Sequence, residues 1–187
     1  MPIDQNTLQI LPCTKIQTLP LANTIDTFDC GEPDLNGFFK EDAIACHEAK
    51  LASTHVICTR TEIIGYFTLV NDCLHRQRVN IDDKITCFSH MKYPAIKIAR
   101  LAIDKKYQRS GLGKWNIGRI FVALSRIADI SAFRFLTVDA KNRDHVPEFY
   151  EKFGFRRINE NKSQDTVPMY IDYFALYSYM EKELQHT

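Results

Sequence analysis

The chain has 187 residues, 45% of them hydrophobic, and carries 24 Lys and Arg against 23 Asp and Glu for a formal net charge of +1. That length supports one well-buried core, so a single domain over residues 1–187 is expected, and a charge this close to neutral gives by itself no reason to invoke nucleic acid. No run approaches the roughly 18 consecutive apolar residues of a membrane span, and Met1-Pro2-Ile3-Asp4 has neither the basic start nor the apolar stretch of a secretory leader, so no membrane partner and a cytoplasmic location are expected.

In chain order, residues 8–11 read as a first strand, and Pro33 opens a helix whose Leu35, Phe38, Phe39 and Cys46 share one face while Lys40 and Asp42 meet water. Residues 54–59 and 63–70 are rich in β-branched and aromatic side chains and are split by Arg60-Thr61-Glu62, the pattern of a hairpin. His55 reads as a satisfied sheet histidine, because no partner motif for catalysis accompanies it. Periodicity then fades over residues 71–94, a long excursion before a central strand at 96–103. Leu112, Asn116, Ile120, Leu124 and Ile127 recur at helical spacing, widened by Phe121 and Ala128, so a helix over 112–127 is predicted, with Trp115 as a packing residue. A strand at 135–140 follows. Asp144 is the candidate N-cap of a short helix that admits Pro147 in its first turn, carries Phe149 and Tyr150, and ends at Gly154. Residues 153–158 and 167–174 supply two closing strands around the polar stretch 159–165, and 181–187 reads as a fraying end. This order describes an α/β (α+β) fold, a mixed sheet with helices on its faces.

Six cysteines, at positions 13, 30, 46, 58, 73 and 87, include no Cys-x-x-Cys pair, so neither a metal site nor a disulfide framework is expected. Cys30 and Cys58 read as small reduced core residues. Charge is unevenly spread: from Arg76 to Arg126 there are 12 Lys or Arg against 3 Asp, an excess of +9 that leaves −8 elsewhere. Such asymmetry points to an anionic ligand, with Arg109, Lys114 and Lys105 or Lys106 as its candidate partners.

The segment Gln108-Arg109-Ser110-Gly111-Leu112-Gly113 lies between the central strand and the following helix. A glycine-rich turn feeding a helix lets backbone approach a diphosphate while the unpaired amides of the first turn point at it. A P-loop would need Gly at 108 and Ser or Thr at 115, where Gln108 and Trp115 stand, and a dinucleotide fingerprint would need a small residue where Asn116 stands. The pattern left is Gln/Arg-x-x-Gly-x-Gly/Ala.

That pattern, with Ile98-Ala99-Arg100-Leu101-Ala102-Ile103-Asp104 before it and Phe149-Tyr150-Glu151-Lys152-Phe153-Gly154-Phe155 after a further strand, resembles the GNAT acetyltransferase superfamily. Phe28-Asp29-Cys30-Gly31-Glu32-Pro33-Asp34-Leu35-Asn36 and Ile64-Gly65-Tyr66-Phe67-Thr68-Leu69 are similar to the branch that includes toxins acetylating aminoacyl-tRNA, so the resemblance spans roughly residues 8–173. It implies a mostly antiparallel central sheet flanked by helices, a pyrophosphate loop between central strand and helix, and acetyl-CoA as co-substrate without a metal. Backbone groups at Leu101, Ala102 and Ile103 would pair with the pantetheine arm, one amide there polarising the thioester carbonyl. Gln108, Arg109, Ser110, Gly111, Leu112, Gly113 and Lys114 would hold the diphosphate, and Tyr150 would protonate the leaving thiolate. The excursion over 71–94 would help shape the acceptor site. Many family members place Asn seven residues before the tyrosine and a small residue four before it; here Arg143 and Val146 stand there, and Asn142 is one residue early.

Asp104 and Asp139, at strand ends, are candidate general bases, and Asp104 is equally a candidate cap for the loop. A lysine-like amine with a pKa of about 10.4 costs about 4.6 kcal/mol to deprotonate at pH 7, whereas an α-amine near 7.7 costs about 1, so an α-amine acceptor can dispense with a base. Three readings follow: an N-acetyltransferase acting on a small-molecule or peptide amine, a toxin-like enzyme acetylating the α-amine of charged tRNA, and a non-catalytic acyl-CoA-binding module. A homodimer is compatible with each.

Overall fold

The computed structural model describes residues 3–128, 130–143, 145–158 and 165–175, excepting the side chains of 17 and 18. The candidate cap Asp144, most of the polar stretch 159–165 and the tail 181–187 lie outside the described residues. Seven strands form one sheet in the order β1-β2-β3-β4-β5-β7-β6, with β1 at Gln9–Pro12, β2 at Ser53–Cys58, β3 at Ile63–His75, β4 at Lys92–Ile103, β5 at Phe135–Lys141, β6 at Arg156–Arg157 and β7 at Thr166–Asp172. β4 and β5 are parallel, whereas β1–β2, β2–β3, β5–β7 and β6–β7 are antiparallel. The parallel pair needs a crossover, supplied by α3 at Leu112–Ala128. The expected mixed, mostly antiparallel sheet with flanking helices is therefore present.

The chain divides into two compact units, each made of two stretches. The first comprises Met1–Val70 and Ala99–Ala123. Its helical run is α1 at Pro33–Gly37, a π-helical turn at Phe38–Asp42, and α2 at Ala43–Glu48. Pro33 suits N1 because its missing amide would have no acceptor there. Phe39 stacks on Tyr66 at 4.6 Å, Phe28 meets Phe39 edge-on at 5.0 Å, and the Tyr66 hydroxyl donates to the Leu35 carbonyl at 2.8 Å. Cys30 and Cys58 are buried, as expected, and so is Cys13, whose pKa burial pushes up to about 11. Gly65 is required for close approach: a Cβ there would stand 2.5 Å from the Ala102 carbonyl oxygen on β4.

Two expectations, for β2 and for α3, need correction. His55 is not a satisfied histidine, because its Nδ1 is buried without a hydrogen-bond partner among the described residues while its ring stacks on Phe67 at 5.3 Å. Burial, and then His47 with its ring 6.0 Å away, lower its pKa. In α3 the buried side chains include Ile117, which the stripe omitted, whereas Ile127 in the last turn is 39% exposed. The chain leaves the helix there toward Ile130, itself 90% exposed.

The second unit comprises Asn71–Ile98 and Leu124–Thr187. Tyr93 meets Phe135 at 5.2 Å and Phe135 meets Tyr170 at 5.6 Å, both edge-on, with Leu74, Ala95, Val79 and Ile158 around them. The excursion is shorter than 71–94, since β3 continues to His75 and β4 starts at Lys92. Over residues 71–75 the inward position 72 is the polar Asp72, so the letters lack the apolar alternation that marks a strand although burial alternates; Asp72 accepts from Thr137 Oγ1 at 2.6 Å. The remaining loop is fastened. Tyr170 Oη accepts from Asn80 N at 2.9 Å and donates to Asp83 at 2.7 Å, Ile85 N donates to Tyr93 Oη at 3.2 Å, and Phe88 stacks on Tyr93 at 5.1 Å. α4 at Val146–Glu151 follows His145, whose φ is 72°, and β6 is only two residues long because the turn through Gly154, φ 88°, takes up the residues before it.

Candidate active site

The turn from β4 into α3 is exposed from Gln108 to Gly111. Arg109 and Gly111 have positive φ, 60° and 83°, on either side of Ser110. Alternation of this kind turns successive amides toward one side, a concavity suited to an anion. The first helical hydrogen bond here runs from Trp115 N to the Gly111 carbonyl at 3.1 Å, and among the described residues nothing accepts from the amides of Arg109, Ser110, Gly111, Leu112, Gly113 or Lys114. A Cβ at Gly111 would meet nothing within 4 Å, so the space beside it is open. With the partial positive charge at the N-terminus of a 17-residue helix, these donors fit a diphosphate.

The loop is held from below by side chains that local periodicity could not reveal. Gln108 Nε2 donates to the carbonyls of Cys30 at 2.8 Å and Ile103 at 2.9 Å, so this side chain fastens the turn instead of projecting to a ligand. Asp104 is 4% exposed, and its two oxygens accept from Asp29 N and Lys106 N, each at 3.0 Å. Of its two expected roles, capping is the one its contacts express. Asp29 in turn accepts from Asn36 Nδ2 at 2.7 Å, Gly31 N at 2.8 Å and Lys105 Nζ at 2.8 Å. These donors, Lys105 first, hold the Asp29 pKa down to about 2. Residues 28–36 thus form a bracket for the turn, and their similarity to one family branch was the only sequence signal for it.

Two lysines expected to serve an anion are committed elsewhere, Lys105 to Asp29 at 2.8 Å and Lys106 to Glu62 at 3.1 Å. Arg109 and Lys114 have no carboxylate partner among the described residues. Glu62 also accepts from Tyr107 Oη at 2.5 Å; burial, then Glu62, raises that phenol to about 12.

Leu101, Ala102 and Ile103 end β4, with Ala102 buried and its neighbours half-buried. β5 pairs with β4 along Ala95–Ile98, before these three residues. A polar chain with amide groups can hydrogen-bond the backbone of a strand as a further strand would.

Tyr150 lies on α4 in the second unit, 6% exposed, edge-on to Phe149 at 5.1 Å and to Phe155 at 5.4 Å. Its hydroxyl makes no hydrogen bond to a described residue, and burial drives its pKa well above the usual phenol value. The expected choice between core aromatic and acid is therefore not exclusive, since the ring packs while the hydroxyl stays unengaged. Asp139, exposed on β5, is ion-paired with Lys97 of β4. Among the described residues no group of three or more His, Cys, Asp or Glu could hold a metal ion, and no helix is long and apolar enough to cross a membrane.

Comparison with known proteins finds the same architecture elsewhere. The family model for the acetyltransferase (GNAT) domain matches residues 38–171. A tRNA-acetylating toxin of Mycobacterium tuberculosis (strain ATCC 25618 / H37Rv) is 28% identical over 140 residues, 72% of this chain and 79% of the relative. Among solved structures, a tyrosine-to-phenylalanine mutant of KacT has a TM-score of 0.80 at 20% identity, covering 92% of this chain and 99% of that one. AtaT complexed with acetyl-methionyl-tRNAfMet has a TM-score of 0.78 at 21% identity, with 92% and 99% covered. At these identities the two structures speak for the fold alone.

Proposed function

Because the chain belongs to the GNAT acetyltransferase family, we propose that this acetyl-CoA-dependent enzyme delivers its acetyl group to the α-amine of an aminoacyl-tRNA. The observation that carries the choice of acceptor is the similarity, over 72% of the chain, to a protein named as a tRNA-acetylating toxin. Two features of this chain support it. Both candidate bases are engaged, Asp104 by one backbone amide on each oxygen and Asp139 by Lys97; an amine of pKa near 7.7 needs none, at a cost of about 1 kcal/mol at neutral pH. Arg109 and Lys114 stand beside the phosphate loop with no carboxylate to neutralise them.

On this reading the amides from Arg109 to Lys114 bind the donor's diphosphate, and the backbone of Leu101, Ala102 and Ile103 orients its amide arm. Bound acetyl-CoA supplies the activated acyl group. Gln108 acts through the loop it holds, and Tyr150 keeps its proton at neutral pH because burial disfavours the phenolate. When the amine has attacked and the C–S bond breaks, that proton goes to the leaving sulfur, and the proton released by the acylated nitrogen restores the phenol. Residues 1–187 are read as one catalytic domain, since β3, β4 and α3 each run from one unit into the other. Release of free thiol from acetyl-CoA by the purified protein, measured against charged tRNA and a panel of polyamine, antibiotic and peptide amines, tests the acceptor. Turnover confined to charged tRNA is expected; turnover on free amines with none on charged tRNA would return the acceptor to a small molecule or peptide.

A further inference from the structure

Arg100 differs from the neighbouring cations of β4 and the loop after it. Lys97, Lys105 and Lys106 close ion pairs with Asp139, Asp29 and Glu62. Arg100 is half-buried, one residue before Leu101, and its guanidinium carbon lies 3.5 Å from the centre of the Phe38 ring. Among the described residues it has neither a carboxylate partner nor a hydrogen bond. Withdrawing a cation from water without an anion is costly, and a desolvated cation–π contact returns only about 2 kcal/mol. Structure alone would be served as well by an aliphatic side chain on that ring. The planar fork has one face covered by Phe38, while its N–H edge stays free for a bidentate oxyanion.

The platform under it is rigid. Phe38 opens the π-helical turn Phe38–Asp42, a form frequent at functional sites. Its ring is 6.3 Å from that of Tyr66, which is fixed by the bond from its hydroxyl to the Leu35 carbonyl. The chemistry of the acceptor then selects the anion. In an aminoacyl ester the carboxylate is consumed by the ester, so the nearest negative charge to the amine is a phosphodiester of the terminal nucleotides. We infer that Arg100, seated on Phe38, binds a backbone phosphate at the acceptor end of charged tRNA; this rests on the acceptor reading above and adds the residue that positions the RNA.

The test separates the two. The unacylated trinucleotide CCA is titrated into the protein at several salt concentrations, with wild type, Arg100→Gln and Arg100→Lys compared. Wild type is expected to bind, Arg100→Gln to bind at least tenfold more weakly with a salt slope smaller by about 0.7, the loss of one single-strand phosphate contact, and Arg100→Lys to keep the slope with intermediate affinity. In turnover, Arg100→Gln should raise KM for charged tRNA about tenfold and leave KM for acetyl-CoA within about twofold, as expected from loss of one charge-assisted contact of about 1.4 kcal/mol. No binding of CCA by wild type, an unchanged slope in Arg100→Gln, or a rise confined to acetyl-CoA would overturn the inference. If Arg100→Gln loses its far-UV circular dichroism, Arg100→Met, which keeps the stem on Phe38, carries the same comparison. Binding of CCA through Arg100 without acetylation of charged tRNA would keep the phosphate site and refute the acceptor reading.

Discussion

Asn116→Leu should stabilise the protein. Asn116 is fully buried on α3, and both side-chain atoms, Nδ2 and Oδ1, lack a hydrogen-bond partner among the described residues. Leaving buried polar groups unmade costs about 1–3 kcal/mol each, and Leu has nearly the same shape, so little overpacking offsets the gain. A net stabilisation of about 2 kcal/mol follows, which for a chain of this size raises Tm by about 4–8 °C. Urea unfolding should show a higher midpoint with an unchanged m-value. The amides of Leu112 to Lys114 lie outside the substitution, so KM for acetyl-CoA should hold. Destabilisation by more than about 1 kcal/mol would refute the reasoning, because it would mean that the amide has a partner such as an ordered water.

Tyr150→Phe keeps the ring packing with Phe149 and Phe155, so Tm should change little while kcat falls by about 10²–10⁴; undiminished turnover would remove the acid role. Since burial raises the Tyr150 pKa, the wild-type kcat should show no loss below about pH 10 that this phenol explains, and a pH–rate profile checks it. Asp29→Asn weakens the bracket under the loop and should raise KM for acetyl-CoA several-fold with kcat nearly constant, read from initial rates. Asp29, held to about 2 in the fold, contributes its stabilisation above the unfolded value near 3.9 and loses it only as pH falls through about 2, so the bracket is intact at every neutral pH. His55 has a lowered pKa in the fold, so the unfolded chain binds the extra proton first: stability is full above about pH 6.5 and falls as pH drops below it. His55→Phe should flatten that slope in urea titrations between pH 7 and 5.

Local pattern made much of this site legible. The strand before the turn, the two glycines and the apolar stripe of α3 are all encoded within residues 96–127, and the fold places the free amides where those letters point. The bracket was not legible in the same way, because Asp29 meets Lys105 across 76 positions and Asp104 across 75. Gln108 shows the limit from the other side: its letter belongs to the loop pattern, but its side chain is spent on Cys30 and Ile103. The far end of β3 was hidden because its polar residues find partners, Asp72 with Thr137 among them, that periodicity does not register. Arg100 sat within the quoted strand, and only the position of Phe38 beneath it distinguishes it from a solvated cation.

The most direct measurement is the identity of the product. Charged tRNA is incubated with the protein and acetyl-CoA, digested with nuclease, and the aminoacyl-adenosine is weighed by mass spectrometry. The account predicts an acetyl group on the α-nitrogen of the amino acid, formed by wild type and nearly absent with Tyr150→Phe. Unmodified aminoacyl-adenosine, with thiol released on a free amine instead, would contradict it.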